Sequence, residues 1–157
     1  MASKRSKIEM NDADIKEYLG SSKTMIIVSN GFNGYPHPMP MWFYVDDAGC
    51  LYCTTFRKSQ KVANYRRNPK ASLLIESGTE YADLKGVLIY AGAEVIDDLE
   101  TVLDVMVKIT SKGLDLNAEE MSTAAEGVRT TAPKRVVIKF TPVKYITWDH
   151  SKLGGVY

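Results

Sequence analysis

The segment richest in possible chemistry is Thr54-Thr55-Phe56-Arg57-Lys58-Ser59-Gln60-Lys61, which runs on through Asn64 to Asn68-Pro69-Lys70. Six of the chain's 20 basic residues fall between Arg57 and Lys70. The segment lies where a predicted strand ends and a short helix, Ser59 to Arg67, begins; Asn68-Pro69 stops that helix. A helix N-terminus offers unpaired N–H groups and the positive end of the helix dipole, a suitable seat for a phosphate. The Ser59 hydroxyl adds a donor and Lys61 a full charge. A solvated basic helix has the same spacing, and on the residues alone the two readings stand level.

Two other segments qualify. Met39-Pro40-Met41-Trp42-Phe43 carries polarizable and aromatic side chains that suit a flat ring, although ordinary core packing uses the same residues. Pro40 marks this run as an edge or a bulge. The segment Trp148-Asp149-His150-Ser151-Lys152 joins an aromatic, a carboxylate, a histidine and a lysine, and His150 titrates near neutral pH. A structural tryptophan with a charged fringe reads equally from it. Cys50-Leu51-Tyr52-Cys53 sits on a predicted strand, where positions three apart face opposite ways, so no metal site is expected there. No Ser-His-Asp arrangement, Gly-x-Ser-x-Gly turn, phosphate loop or dinucleotide glycine pattern occurs.

A chain of 157 residues carrying 20 basic and 19 acidic side chains suggests one domain that does not bind nucleic acid by bulk charge. No apolar run is long enough for a membrane helix, and no apolar stretch follows Lys4, Arg5 and Lys7. Two cysteines make no disulfide framework. These features lead to the expectation of a soluble, cytoplasmic protein without a membrane partner.

The positioning elements read as follows. The first ten residues are expected to be loose. Asn11 or Asp12 caps a helix through Ile15, Tyr18 and Leu19 that ends at Gly20. Strands are predicted at Thr24–Ser29, Met39–Val45 and Cys50–Thr55, then at Ala71–Glu76 and Gly86–Ile96. Asp97 or Asp98 caps the clearest helix, where Leu99, Val102, Leu103 and Met106 recur at helical spacing. A thinner helix spans Ala118 to Gly127. Strands return at Arg135–Phe140 and Val143–Trp148. About six hairpin-like strands with inserted helices predict a mainly β, α+β architecture: an antiparallel sheet or barrel with peripheral helices.

Pro38-x-Pro40-x-Trp42-Phe43, then Leu51-Tyr52-x-Thr54-Thr55, then Ser59-x-Lys61-x-x-Asn64-x-Arg66-Arg67-Asn68-Pro69 and Ala71-Ser72-Leu73-Leu74-Ile75-Glu76 follow one another in an order that resembles the split barrels related to pyridoxamine 5′-phosphate oxidase. The likeness runs from about Met25 to Trp148 and is most specific at Ser59–Pro69. It implies a six-stranded split β-barrel that forms a homodimer, with FMN at the subunit interface. It further implies that Ser59 and Lys61 hold the cofactor phosphate with Gln60 nearby. Thr54 and Thr55 would line the ribityl chain, and Met39, Met41 and Trp42 would pack near the ring. Trp148 and Lys152 would reach in from the partner.

The chain departs from the true oxidases. They carry arginine and lysine on the strand before the phosphate loop, where Met39 to Tyr44 here has no charge, and an arginine where Gln60 stands. The groups that grip a pyridoxal phosphate substrate are missing. The expectation is an FMN-dependent oxidoreductase of another small organic molecule. A deazaflavin-dependent reductase of quinones, enones or tetrapyrroles is the alternative; the ratio of 14 Lys to 6 Arg leans toward FMN. A non-catalytic flavin or haem module, with His150 as axial ligand, is the third reading. No residue stands out as a catalytic acid; His150 and Tyr90 are the candidates.

Overall fold

Residues 4–154 are described in the computed structural model of the chain. One seven-stranded antiparallel sheet dominates, built from β1 (Thr24–Asn30), β2 (Pro36–Trp42), β3 (Tyr44–Val45), β4 (Leu51–Phe56), β5 (Lys70–Ser77), β6 (Lys85–Ile96) and β7 (Arg135–Asp149). Its order is β2-β1-β5-β6-β7-β4-β3. The two outermost strands, β2 and β3, are separated in sequence by Phe43 alone, so the sheet must curl until its edges meet. Phe43 is completely buried at that seam, and its N–H donates to the Lys23 carbonyl. The result is a split barrel.

Seven strands replace the expected six because the predicted Met39–Val45 strand breaks at Phe43, where the chain crosses from one sheet edge to the other. Two predicted strands merge into β7, with Pro142 accommodated beside a register shift at Tyr90/Ala91. β2 carries Pro36, Pro38 and Pro40 on alternate positions. The flanking bonds Gly31 N–H to Tyr35 O and Phe43 N–H to Lys23 O set the ladder's parity. The three ring nitrogens therefore face away from β1, where no ladder donor is required.

Alternate side chains fill the barrel: Met25, Ile27, Leu73, Ile75, Val87, Ile89, Ile138 and Phe140 are buried. Helices close its openings. Helix α1 (Lys4–Ile8) and Met10 correct the expectation of a loose start: Met10 is buried and its N–H donates to Thr147 Oγ1 at 2.9 Å. Helix α2 (Asp12–Ser21) begins with an Asn11–Asp14 capping box. Helices α4 (Leu99–Thr110) and α5 (Ala118–Arg129) build a second apolar cluster with Val137, through Val102, Val105, Met106 and Val128. Helix α3 (Gln60–Arg67) is treated below. Among the described residues no helix is long and apolar enough to cross a membrane.

Candidate functional site: a buried lysine at the barrel mouth

Helix α3 lies across one end of the barrel. Its Asn64 donates to Ser29 Oγ of β1 at 2.9 Å and its Arg67 to the Asn30 carbonyl at 2.6 Å. Arg57 and Arg66 converge on Asp97, just past β6. Val62 and Tyr65 plug the opening, Tyr65 edge-on to Phe140 at 5.5 Å. Three arginines of the basic segment thus anchor the helix, which is why the positive charge concentrates there.

Lys61 is different. It is only 8% exposed, and its ammonium donates to Thr55 Oγ1 at 3.1 Å. No carboxylate pairs with it among the described residues. Burial pulls its pKa below the ordinary lysine value, as desolvation of a cation must. The buried Cys53 thiol lies nearby, and burial pushes that thiol up to about 12, so it stays neutral. A buried ammonium held by one hydroxyl is costly unless an anion joins it.

The Ser59 hydroxyl stands 3.4 Å from Thr55 Oγ1. Ser59 occupies the N-cap of α3 but makes no side-chain capping bond. The first N–H groups of α3, at Gln60 and Lys61, have no intrahelical partner. Hydroxyl, ammonium and helix terminus therefore converge beside one another. Strand alternation explains why Thr55 joins them and Thr54 does not: Thr54 shares the opposite face with Tyr52, which packs against the α4 cluster.

Gln60 donates to Asn64 Oδ1 at 2.9 Å, and so belongs to a hydrogen-bonded line running to Ser29. Met39 and Met41 point inward from β2 and pack on the core, whereas Trp42 faces outward, 64% exposed. Trp148 and Lys152 are not brought to Lys61 within one chain. Thr55 pairs with Val136, and Trp148 lies twelve residues further along β7, roughly 40 Å of strand at about 3.3 Å per residue. Lys152 is engaged by Asp14 at 2.8 Å and by the Glu9 carbonyl. His150 Nδ1 lies 2.9 Å from the Tyr81 carbonyl, and its ring rests on Tyr81. Tyr90 stands on the outer face of β6, far from both. Sequence reasoning missed Ser29 and the thiol's place beside Lys61. Neither has a local signal, because β1 and β4 reach the site through sheet pairing.

The family model for pyridoxamine 5′-phosphate oxidase matches residues 12–149. The chain belongs to this family. A conserved hypothetical protein from Mycobacterium tuberculosis superposes with a TM-score of 0.86 at 31% identity, covering 99% of this chain and 95% of that one. An F420 reductase shares the fold at 18% identity and a TM-score of 0.63, over 83% and 94% of the two chains. A haem storage protein from Vibrio cholerae does so at 14% and 0.64, over 89% and 97%. Comparison with curated proteins gave no significant match. Membership of the oxidase family rests on a match that includes the whole Thr55–Lys61 segment, and the basic residues missing from β2 are this member's departure from it.

Proposed function

We propose that this chain is an FMN-dependent oxidoreductase acting on a small organic molecule other than pyridoxamine phosphate. The observation that carries the reading is Lys61, a buried cation without a carboxylate beside an uncapped helix N-terminus. That donor set fits a ribityl phosphate: Lys61 supplies charge, while Ser59, Thr55 and the first α3 amides supply hydrogen bonds. Gln60 braces the helix from which they project. Met39, Met41 and Trp42 offer polarizable and aromatic surface to a ring. When bound, the flavin supplies the redox chemistry, and the protein binds it, orients it and keeps water from it.

The same reading makes the protein a homodimer with the cofactor at its interface. Cross-strand register supports it. Pro40, Ile26, Leu74, Leu88 and Ile146 form one row across five strands on the outer face, and none of them is fully buried. Trp148 lies over Gly86 on that face, whence it can reach a second copy. An apolar row of this kind suits a self-complementary interface.

Fluorescence titration of the apoprotein with FMN and with the deazaflavin coenzyme in parallel tests the reading. Tighter FMN binding supports it. A deazaflavin preference transfers the chain to the deazaflavin reductases, and binding of neither defeats the cofactor assignment.

A further inference from the structure

The β1–β2 turn forms a recess of about 340 Å³ with the start of α3, lined by Gly31, Phe32, Asn33, Tyr35, His37 and Gln60, with Pro36 at its edge. Gln60 directly precedes Lys61, so this recess adjoins the anion seat. The turn is held in shape: Gly31 N–H donates to Tyr35 O, and a Cβ on Gly31 would meet that oxygen at 2.4 Å. Asn33 Oδ1 accepts from the Tyr35 N–H at 3.2 Å. On this fixed turn Phe32 and Tyr35 are 86% and 74% exposed, a costly display for two aromatic rings.

The chemistry of the lining is specific. It contains no carboxylate, lysine or arginine. The nearest cation, Arg67, donates to the Asn30 carbonyl, with its guanidinium carbon 5.8 Å from the Phe32 ring centre. Among the described residues neither the Tyr35 hydroxyl nor the His37 ring makes a hydrogen bond. Gln60 uses its amide N–H toward Asn64, which leaves its carbonyl oxygen for a ligand. Two aromatic rings, three polar edges and no fixed charge suit an uncharged planar ring bearing carbonyl or hydroxyl groups.

The geometry points to this recess as the substrate site, taking an uncharged one- or two-ring aromatic carbonyl compound such as a quinone; this rests on the reading of Lys61 as the cofactor's anchor. Phe32 and Tyr35 give the ring its faces, and His37, Gln60 and the Tyr35 hydroxyl meet its polar edges.

The test titrates FMN-loaded protein with 1,4-naphthoquinone, followed by saturation-transfer NMR, for the wild type, the Phe32→Ala/Tyr35→Ala double variant and Val143→Ala. All three changes are at well-exposed positions, so folding is preserved. The expected result is a Kd raised at least tenfold in the double variant and unchanged in Val143→Ala, with FMN affinity equal in all three. Equal naphthoquinone affinity in all three overturns the site. Equal or tighter binding of 1,4-naphthoquinone-2-sulfonate by the wild type overturns the uncharged class. Should the wild type fail to bind FMN, the cofactor reading falls by itself, and the naphthoquinone series on the apoprotein decides the recess.

Discussion

The Lys61 ammonium donates to the Thr55 hydroxyl across 3.1 Å while both side chains are buried, with the Ser59 hydroxyl 3.4 Å beyond. A charge in that setting lowers the stability of the empty protein and raises its affinity for an anion. Function and stability therefore pull against each other at one residue.

Lys61→Met separates the two. Losing a charge-assisted hydrogen bond of about 1.5–3 kcal/mol weakens FMN binding roughly 10–100-fold. Removing a buried unpaired cation raises the apoprotein's Tm, by about 2–4 °C for each ~1 kcal/mol gained in a chain of this length. Calorimetry and fluorescence titration of the same samples measure both.

Anion binding at Lys61 is also linked to protons. Burial lowers the lysine's pKa in the empty site, and a bound phosphate raises it. The complex therefore takes up a proton at any pH between the two values, and FMN affinity falls as pH rises through that window. Titrations across alkaline pH report the slope, which is absent in Lys61→Met.

Lys112 tests the same physics where no ligand is involved. Its ammonium lies 3.6 Å from the Phe43 ring centre and donates to the Leu19 and Ser22 carbonyls at the end of α2. Burial pulls its pKa down to about 8 from 10.5. Between these values the unfolded chain holds a proton that the folded chain has released, so stability rises as pH increases from about 8 to 10.5. The neutral amine still has N–H groups for both carbonyls. Denaturant melts over this range show the rise in the wild type, less this contribution in Lys112→Met.

The outer sheet face has its own probe. A Cβ on Gly86 would come within 2.2 Å of the Trp148 ring. Gly86→Ala displaces that ring at a cost of about 1–3 kcal/mol. Trp148 emission shifts, and the dimer seen by light scattering weakens. Leu88→Glu, on the same face without that clash, yields monomer outright.

Asn64 holds α3 to the barrel. It is fully buried between Ser29 and Gln60. Asn64→Ala strands the Ser29 hydroxyl and costs about 1–3 kcal/mol. The Ser29→Ala/Asn64→Ala pair costs less than the sum of the two single changes, as a thermal-melt double-mutant cycle reads out.

What was legible in the sequence was local. Period-2 alternation in Met25–Val28 and Leu73–Ile75 gave strands, the Leu99–Met106 spacing gave α4, and the Ser59–Pro69 order pointed to the anion seat. What escaped depends on closure. Phe43 divides a strand only because the sheet's two edges must meet, and nothing in Met39–Val45 reveals that. Met10 is buried because Thr147, far along the chain, accepts its N–H. Thr54 and Thr55 looked equivalent until pairing with β7 and packing of α4 assigned each to its face.

The most direct test of the central claim is a fluorescence-quenching titration of wild-type and Lys61→Met apoprotein with FMN. The account predicts saturable binding to the wild type at one FMN per chain, weakened 10–100-fold by the substitution. Saturable binding with the same affinity in both would contradict it, as would the absence of saturable binding in the wild type.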